Sequence, residues 1–281
     1  MRVRYQFSSR KTKNIANIRK QREKYPKLLL KVVDTTDIVL EILDARFFDE
    51  MRNPEIEKLI LNKGKQILYV LNKADLVDKK KIPKEALELV KPYVLVSAKD
   101  RNGIKNLRDK IKMMAKKVRK KEDSYERTQI GVIGYPNTGK STLINSLIGK
   151  SSAGVGAEAG YTRGLQKLRL SADLLLLDSP GVIPERDYSY TSQEKITKHT
   201  KVGGKSFSQV KYPDIIVMDL MQQYPGKIEA YYGLKDYAND LDGMFEEIGK
   251  QKNFLKKGGE IDDDKVARKI IKDFQEGKIK L

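Results

Sequence analysis

The segment 134–141, Gly-Tyr-Pro-Asn-Thr-Gly-Lys-Ser, has the residue types and the spacing that bind phosphate groups. It fits the pattern G-x-x-x-x-G-K-S/T and lies between a predicted strand and a predicted helix. Glycines let the backbone approach phosphates, and amide N–H groups at a helix N-terminus attract negative charge. We expect Lys140 to neutralise the β- and γ-phosphates and the Ser141 hydroxyl to ligate Mg²⁺. The nucleotide-binding residues predicted here are Asn137, Thr138, Gly139, Lys140, Ser141 and Thr142, and Lys140 is also a catalytic candidate.

Two earlier motifs indicate which base is bound. The first is Asn72, Lys73, Ala74 and Asp75, and the second is Ser97, Ala98 and Lys99. The Asp75 carboxylate can accept hydrogen bonds from N1–H and the 2-amino group of guanine, which adenine does not offer, so the wrong base leaves a charge unpaired. Lys73 would lie along the purine face, and the second motif would present a backbone N–H to guanine O6. The alternative is an ordinary capping residue in a surface turn.

A third group of residues is expected at the γ-phosphate. Asp178, Ser179, Pro180 and Gly181 follow an apolar run. Asp178 would reach Mg²⁺ through water, with Pro180 beside it, and the Gly181 amide would contact the γ-phosphate. Thr162, which follows the glycine- and alanine-rich run 153–160, is the candidate second Mg²⁺ ligand on a loop that responds to the γ-phosphate. We count Thr162 and Gly181 as catalytic candidates; the alternative for 178–181 is a plain turn at a strand end.

Apolar runs and helical spacing predict the elements that position these motifs. Predicted strands cover residues 38–43, 66–71, 93–96, 130–133, 168–170 and 174–177, and predicted helices cover 54–61, 84–90, 104–117 and 141–147. Strands that alternate with helices predict an α/β fold, a mostly parallel sheet with helices on both faces. We divide the chain into a basic N-terminal extension (1–25), a nucleotide-binding domain (26–190) with a charged linker at 118–127, and a small helical C-terminal domain (191–281).

The charge of the chain is concentrated in two stretches. The net charge is +19; residues 1–31 carry 11 Lys/Arg and one acid, and residues 105–121 carry nine and one. This distribution favours a face that binds polyanions, while the alternative is two solvated helices that keep the protein soluble. Cysteine is absent, and neither an apolar membrane span nor a secretory signal is evident. We therefore expect a cytoplasmic protein with no membrane partner.

The order of the motifs is unusual, because the base-recognition motifs precede the phosphate loop. In this order, and in Asp44-Ala45-Arg46, the chain resembles the circularly permuted ribosome-assembly GTPases of the YlqF/YawG type. The resemblance covers residues 26–190 and extends to the C-terminus through 258–260 (Gly-Gly-Glu) and 273–278 (Asp-Phe-Gln-Glu-Gly-Lys). It implies a circularly permuted P-loop GTPase domain that binds GTP, GDP and Mg²⁺, and a switch in maturation of the large ribosomal subunit through ribosomal RNA. The resemblance also associates Asn137 with an activating K⁺; a loop-capping role stays open.

The chain departs from the pattern of other GTPases at two points that affect hydrolysis. Val182 follows Gly181, where many GTPases have a water-orienting glutamine, and residues 1–31 contain no histidine, which some relatives use instead. The only histidine, His199, is expected to be solvated. We predict a slow intrinsic rate, a monomer, and stimulation by K⁺, the ribosome or both. The alternatives are a GTP-dependent RNA-binding module with incidental hydrolysis, and a GTPase that acts on tRNA or another partner.

Overall fold

A six-stranded sheet forms the centre of the molecule. The computed structural model describes residues 29–122, 127–149, 166–178, 197–198, 200–203, 206–235, 237 and 240–281. The strands are β1 (Ile38–Asp44), β2 (Gln66–Asn72), β3 (Tyr93–Leu95), β4 (Thr128–Gly134), β5 (Gln166–Ser171) and β6 (Leu174–Asp178). Their order is β3-β2-β1-β4-β6-β5, and only the β5–β6 pair is antiparallel. The mostly parallel sheet predicted from the sequence is confirmed.

Helices cover both faces of the sheet. Their bounds are α1 (29–35), α2 (Phe48–Met51), α3 (Pro54–Asn62), α4 (Lys84–Glu88), α5 (Ile104–Glu122), α6 (Lys140–Ile148), α7 (197–198 and 200–201), α8 (Pro213–Gln223), α9 (Lys227–Tyr232), α10 (Leu241–Lys252) and α11 (Asp263–Gln275). Strand β1 alternates between the faces: Ile38, Leu40 and Ile42 pack with α5 and α6, whereas Val39 and Leu43 share a core with α1–α3 and α8–α11. Because helices cover both faces of the sheet, residues 38–43 of β1 are apolar on both sides of the strand, with Glu41 as the one exception.

Helix α5 is longer than the sequence pattern predicted. The prediction ended it at residue 117 and assigned 118–127 to a linker, but the helix continues to Glu122. No glycine or proline lies between 104 and 122, and Lys, Arg and Glu are strong helix formers. The predicted linker is therefore wrong for 118–122; residues 123–126 lie outside the described ranges.

The C-terminal helices share a hydrophobic core with one face of the sheet. Ile216, Phe245 and Ile270, from α8, α10 and α11, belong to the same buried cluster as Val39 and Leu43 of β1. No helix within the described ranges is both long and apolar enough to cross a membrane. The helical character of the described part of 191–281 agrees with the sequence, and the domain boundaries at 25 and 190 stay predictions.

One buried carboxyl group interrupts the apolar β1 strand. Glu41 is 2% exposed. Its Oε1 accepts from the Asn53 N–H at 3.2 Å, and its Oε2 is buried with no hydrogen-bond partner among the described residues. Burial, reinforced by the neighbouring Glu57 carboxylate, raises the pKa of Glu41 to about 8, although the Asn53 N–H and the Arg52 charge oppose the shift. Glu41 is thus largely a neutral acid at neutral pH.

Replacing Glu41 with glutamine should stabilise the protein at high pH. The unfolded chain releases this proton near its ordinary pKa of 4.5, whereas the folded chain keeps it to about 8, so stability falls as pH rises through that window. The neutral Glu41→Gln amide has no such dependence. We expect the free energy of unfolding of the variant to match that of the parent near pH 4 to 5 and to exceed it by roughly 4 kcal/mol near pH 8. Urea unfolding across this range measures the effect, and parallel stability curves for the two proteins would contradict it.

Candidate nucleotide-binding site

The predicted motifs meet at one edge of the sheet. In the parallel ladder, Asp44 of β1 pairs with Asn72 of β2, and Ile42 of β1 pairs with Gly134 of β4. These strands therefore end side by side, although their ends are far apart in the chain. Ligands of open α/β sheets bind beyond the carboxyl ends of the strands. The motifs are assembled at such an edge.

The phosphate loop connects β4 to α6, as the sequence predicted. Lys140, the first residue of α6, is 8% exposed, and its Nζ donates to the carbonyls of Gly134 at 3.1 Å and Tyr135 at 2.6 Å. Burial lowers the pKa of Lys140 to about 8, and the Asp178 carboxylate opposes this shift. Gly139 has a φ of +88°, and a Cβ there would lie 2.4 Å from Nδ2 of Asn72. The loop therefore requires glycine at 139 both for its backbone conformation and for its close approach to β2.

The Asn72 side chain ties three loops together. Its Nδ2 donates to the Thr138 carbonyl at 2.8 Å, and its Oδ1 accepts from the Ala98 N–H at 3.0 Å. Asn72 is 2% exposed, so these bonds are made away from water. Because the Ala98 N–H is bonded to Asn72, the Lys99 N–H becomes the better candidate donor to guanine O6. The sequence indicated a binding role for Asn72 but gave no sign of this bridge.

The Asp44 carboxylate holds two cations at the same edge. Its oxygens accept from Arg46 Nε at 3.0 Å and Nη2 at 2.8 Å, and Oδ2 lies 2.9 Å from Lys73 Nζ. Burial raises the pKa of Asp44, but Arg46 and Lys73 outweigh it, so the pKa lies below its usual value. Asp44 is therefore an anion that fixes Lys73 of the base-recognition motif.

A cavity of about 620 Å³ opens above these loops. Eight predicted binding residues line it: Asn72, Lys73, Asp75, Ala98, Lys99, Asn137, Gly139 and Thr142. Asp75 is exposed, so its carboxylate is open to solvent. Ala74 and Ser97 are buried behind the wall, and Thr138 is enclosed within the loop. The volume is within the range of nucleotide-sized ligand sites, roughly 300–1,000 Å³.

The C-terminal segment forms the opposite wall, which was not predicted from the sequence. The additional lining residues are Arg46, Leu76, Lys201, Val202, Gly203, Ser206, Phe207, Lys272, Gln275, Glu276 and Lys278. The Asn137 amide donates to the Gly203 carbonyl at 2.7 Å, which joins the phosphate loop to this wall. The motif 273–278 was noted for the resemblance, yet its sequence alone did not indicate that Gln275, Glu276 and Lys278 line this cavity.

The residues that could hold Mg²⁺ fit that ion. Asp178 Oδ1 is buried with no hydrogen-bond partner in the described structure, and Ser141 presents an exposed hydroxyl in the first turn of α6. Burial raises the pKa of Asp178, and the Lys140 charge opposes the shift. Carboxylate, hydroxyl and phosphate oxygens are the ligands that Mg²⁺ prefers, with few of them from the protein.

Several predicted site residues fall outside the described residues. These are Thr162, Pro180 and Gly181, together with Val182, His199 and the basic extension 1–25. Their assigned roles therefore stay predictions. The K⁺ role of Asn137 also stays a prediction, although its side chain lies at the cavity wall.

A phosphate loop that follows its base-recognition motifs in the chain, on a mostly parallel sheet, defines a circularly permuted P-loop GTPase fold. The family model described as "50S ribosome-binding GTPase" matches residues 129–253. Ribosome biogenesis GTPase A of Bacillus cereus is 30% identical over 254 residues, covering 86% of this chain and 84% of that protein. This chain belongs to the family of circularly permuted ribosome-assembly GTPases.

Two further comparisons agree with this membership. An uncharacterized GTP-binding protein of Methanocaldococcus jannaschii is 38% identical over 259 residues; the match spans 90% of this chain but 65% of that protein. The crystal structure of GNP-bound YlqF from T. maritima superposes with a TM-score of 0.59 at 20% identity, covering 91% of this chain and 94% of that one. The structural likeness supports the fold.

Proposed function

We propose that this protein binds GTP and GDP in the cavity described above and acts as a slow GTP-hydrolysing switch in assembly of the large ribosomal subunit. The observation that carries the proposal is the union of the phosphate loop, Asn72 and Asp75 around one nucleotide-sized cavity. The relatives named ribosome biogenesis GTPase A support the biological setting. The proposal also includes a protein that acts as a monomer in the cytoplasm, with ribosome precursors as its partner.

Each half of the cavity has a distinct role in this proposal. Asp75 accepts from the guanine N1–H and 2-amino group, Lys73 covers the purine face, and the Lys99 N–H meets O6. Lys140 exchanges its two loop carbonyls for the β- and γ-phosphates. Ser141 and Asp178 hold Mg²⁺, which neutralises charge on the phosphates when it is bound. In this proposal Asn137 helps to bind K⁺ near the phosphate loop.

A basic face on α5 supports contact with ribosomal RNA. Lys105, Lys112, Lys116 and Lys117 of this helix are exposed. Beside them, Arg101, Arg108 and Lys112 line a second cleft of about 410 Å³ near the end of α6. Arg108 already donates to the carbonyls of Ser146 and Leu147, so its position is fixed. A fixed guanidinium next to exposed lysines is suited to a phosphate backbone.

Removing charge from this face should weaken RNA binding. We expect the double variant Lys116→Ala/Lys117→Ala to lower affinity for large-subunit ribosomal RNA and to reduce the slope of log affinity against log salt by about two, roughly one for each phosphate that a lysine no longer neutralises. Fluorescence anisotropy across a salt series measures both. The control Lys80→Ala/Lys81→Ala removes two exposed lysines from the segment between β2 and α4. Neutralising 119–121 (Arg-Lys-Lys) as well should lower the slope further. Equal slopes for the two double variants would reject the α5 face.

The switch itself is tested by turnover. We expect slow GTP hydrolysis by the isolated protein and faster hydrolysis in K⁺ than in Na⁺. We expect purified large subunits to stimulate hydrolysis by at least about tenfold, since one added electrostatic contribution can be worth about 10²- to 10³-fold. Rapid turnover of the isolated protein in Na⁺ would contradict the slow-switch proposal. Intact GTP binding with no stimulation would instead favour the RNA-binding module or a different partner.

A further inference from the structure

Arg46 joins the guanine end of the cavity to the last turn of α11. Its Nη1 donates to the Phe274 carbonyl at 2.9 Å and its Nη2 to the Gln275 carbonyl at 3.3 Å. The carbonyl end of a helix carries partial negative charge, so a guanidinium is favoured there. The Arg46 side chain is 3% exposed, and these bonds are therefore largely shielded from water.

The same guanidinium is fixed from the other side by Asp44. Asp44 Oδ2 is shared between Arg46 Nη2 at 2.8 Å and Lys73 Nζ at 2.9 Å. Lys73 has a left-handed backbone conformation, with a φ of 59°, directly before the short 3₁₀ helix that contains Asp75. An unbroken polar path thus runs from Lys73 through Asp44 and Arg46 to α11.

A packing contact parallels this polar path. Gly277, just after α11, has a φ of +74°, and a Cβ there would lie 2.2 Å from Leu76 Cδ1. Leu76 ends the 3₁₀ helix of the base-recognition motif, and Glu276 and Lys278 line the cavity on either side of Gly277. The end of α11 is therefore a wall of the guanine pocket, and its docking and the position of the base-recognition motif depend on each other.

We propose that Arg46 is a positioning residue through which a nucleotide in the guanine end of the cavity holds α11 docked, whether that nucleotide carries two phosphates or three. The inference rests on the proposed guanine binding in this cavity. A nucleotide that binds more tightly when α11 is docked shifts the protein toward the docked arrangement. By reciprocity, docking of α11 raises the affinity for the nucleotide by the same factor. The path touches the base end and not the phosphate end. Docking of α11 should therefore depend on whether the cavity holds a guanine nucleotide. A switch through 178–181 would instead depend on whether that nucleotide has a γ-phosphate.

Hydrogen exchange on the full chain separates these two kinds of coupling. Amide protection of 263–275 is compared without nucleotide, with GDP and with a non-hydrolysable GTP analogue, both at saturation. We expect both nucleotides to slow exchange in α11 to the same extent, by about five- to twentyfold. Slower exchange in α11 with the GTP analogue but not with GDP would overturn the proposal. Unchanged exchange in α11 in both samples, when each nucleotide saturates the protein, would also overturn it.

The variant Arg46→Lys tests the residue itself. Lysine keeps a cation beside Asp44 but lacks the fork that bonds a carboxylate and two carbonyls together. We expect affinity for GDP and for the GTP analogue to fall by the same factor, about five- to tenfold, and nucleotide-dependent protection of α11 to be largely lost. Arg52→Lys is the matched control, since Arg52 makes a bidentate pair with Glu57 outside the cavity lining.

A second variant keeps the test decisive if Arg46→Lys does not fold. Lys73→Met leaves the Arg46–Asp44 pair in place but removes the link to the base-recognition motif, so nucleotide-dependent protection of α11 should again fall at saturation. Unchanged α11 protection in both folded variants, with weakened affinity only, would show a purely local role and overturn the coupling. Failure of the parent protein to bind either nucleotide would instead reject the proposed function.

Discussion

Asp75→Asn should convert the preference for guanine into one for xanthine. In the proposed site the Asp75 carboxylate would accept two hydrogen bonds from guanine, and an asparagine amide offers one acceptor and one donor instead. Xanthine has an oxygen at the position of the guanine 2-amino group, so the amide matches it and the carboxylate does not. We expect GDP affinity to fall by about 10²- to 10³-fold and XDP affinity to rise by a similar factor, because mispaired polar groups are strongly penalised.

Competition binding with GDP, XDP and ADP measures this exchange. Asp78→Asn is the control, because Asp78 is exposed three residues further along the same loop and does not line the cavity. The control should keep the parent's preference. If Asp75→Asn lost affinity for both bases equally, Asp75 would be supporting the loop and would not be reading the base.

Lys140→Ala should abolish nucleotide binding under every proposed role. The Lys140 ammonium is buried against the loop carbonyls of Gly134 and Tyr135 and is the only lysine placed inside that loop. The charge-assisted hydrogen bonds that Lys140 would make to two phosphates cannot be replaced by water or by a methyl group. We expect GDP and GTP affinity to fall by at least about a hundredfold, with no turnover at accessible concentrations.

Titration with a fluorescent GDP analogue measures this loss. Lys58→Ala, which removes an exposed lysine of α3, is the control and should bind as the parent does. Because Lys140 is also desolvated, its removal should not lower the free energy of unfolding of the empty protein. Nucleotide affinity within a fewfold of the parent would contradict the assignment of the phosphate loop.

The half of the site made by local motifs was predictable from the sequence. Asn72, Asp75, Gly139 and Lys140 lie within or just after short segments whose apolar runs fix the ends of parallel strands, so their residue types and their position follow together. The same runs placed the strands nearly at their observed bounds. Strand ends that share one edge of a sheet bring such motifs together without further information.

The wall made by the C-terminal segment was not predictable. Its contacts use backbone carbonyls, such as those of Gly203 and Phe274, which every residue type offers. The role of Arg46 has the same origin, since its partners lie more than two hundred residues further along the chain. A pattern in one sequence signals which side chains can donate, and only the fold determines which carbonyls are near.

Control of ribosome association by the bound nucleotide is tested most directly by co-sedimentation of the protein with immature large ribosomal subunits. We predict binding in the presence of a non-hydrolysable GTP analogue, clearly weaker binding with GDP, and no nucleotide dependence for Lys140→Ala. Binding that is equally strong with either nucleotide and in that variant would contradict the central claim that a guanine nucleotide in this cavity controls association with the ribosome.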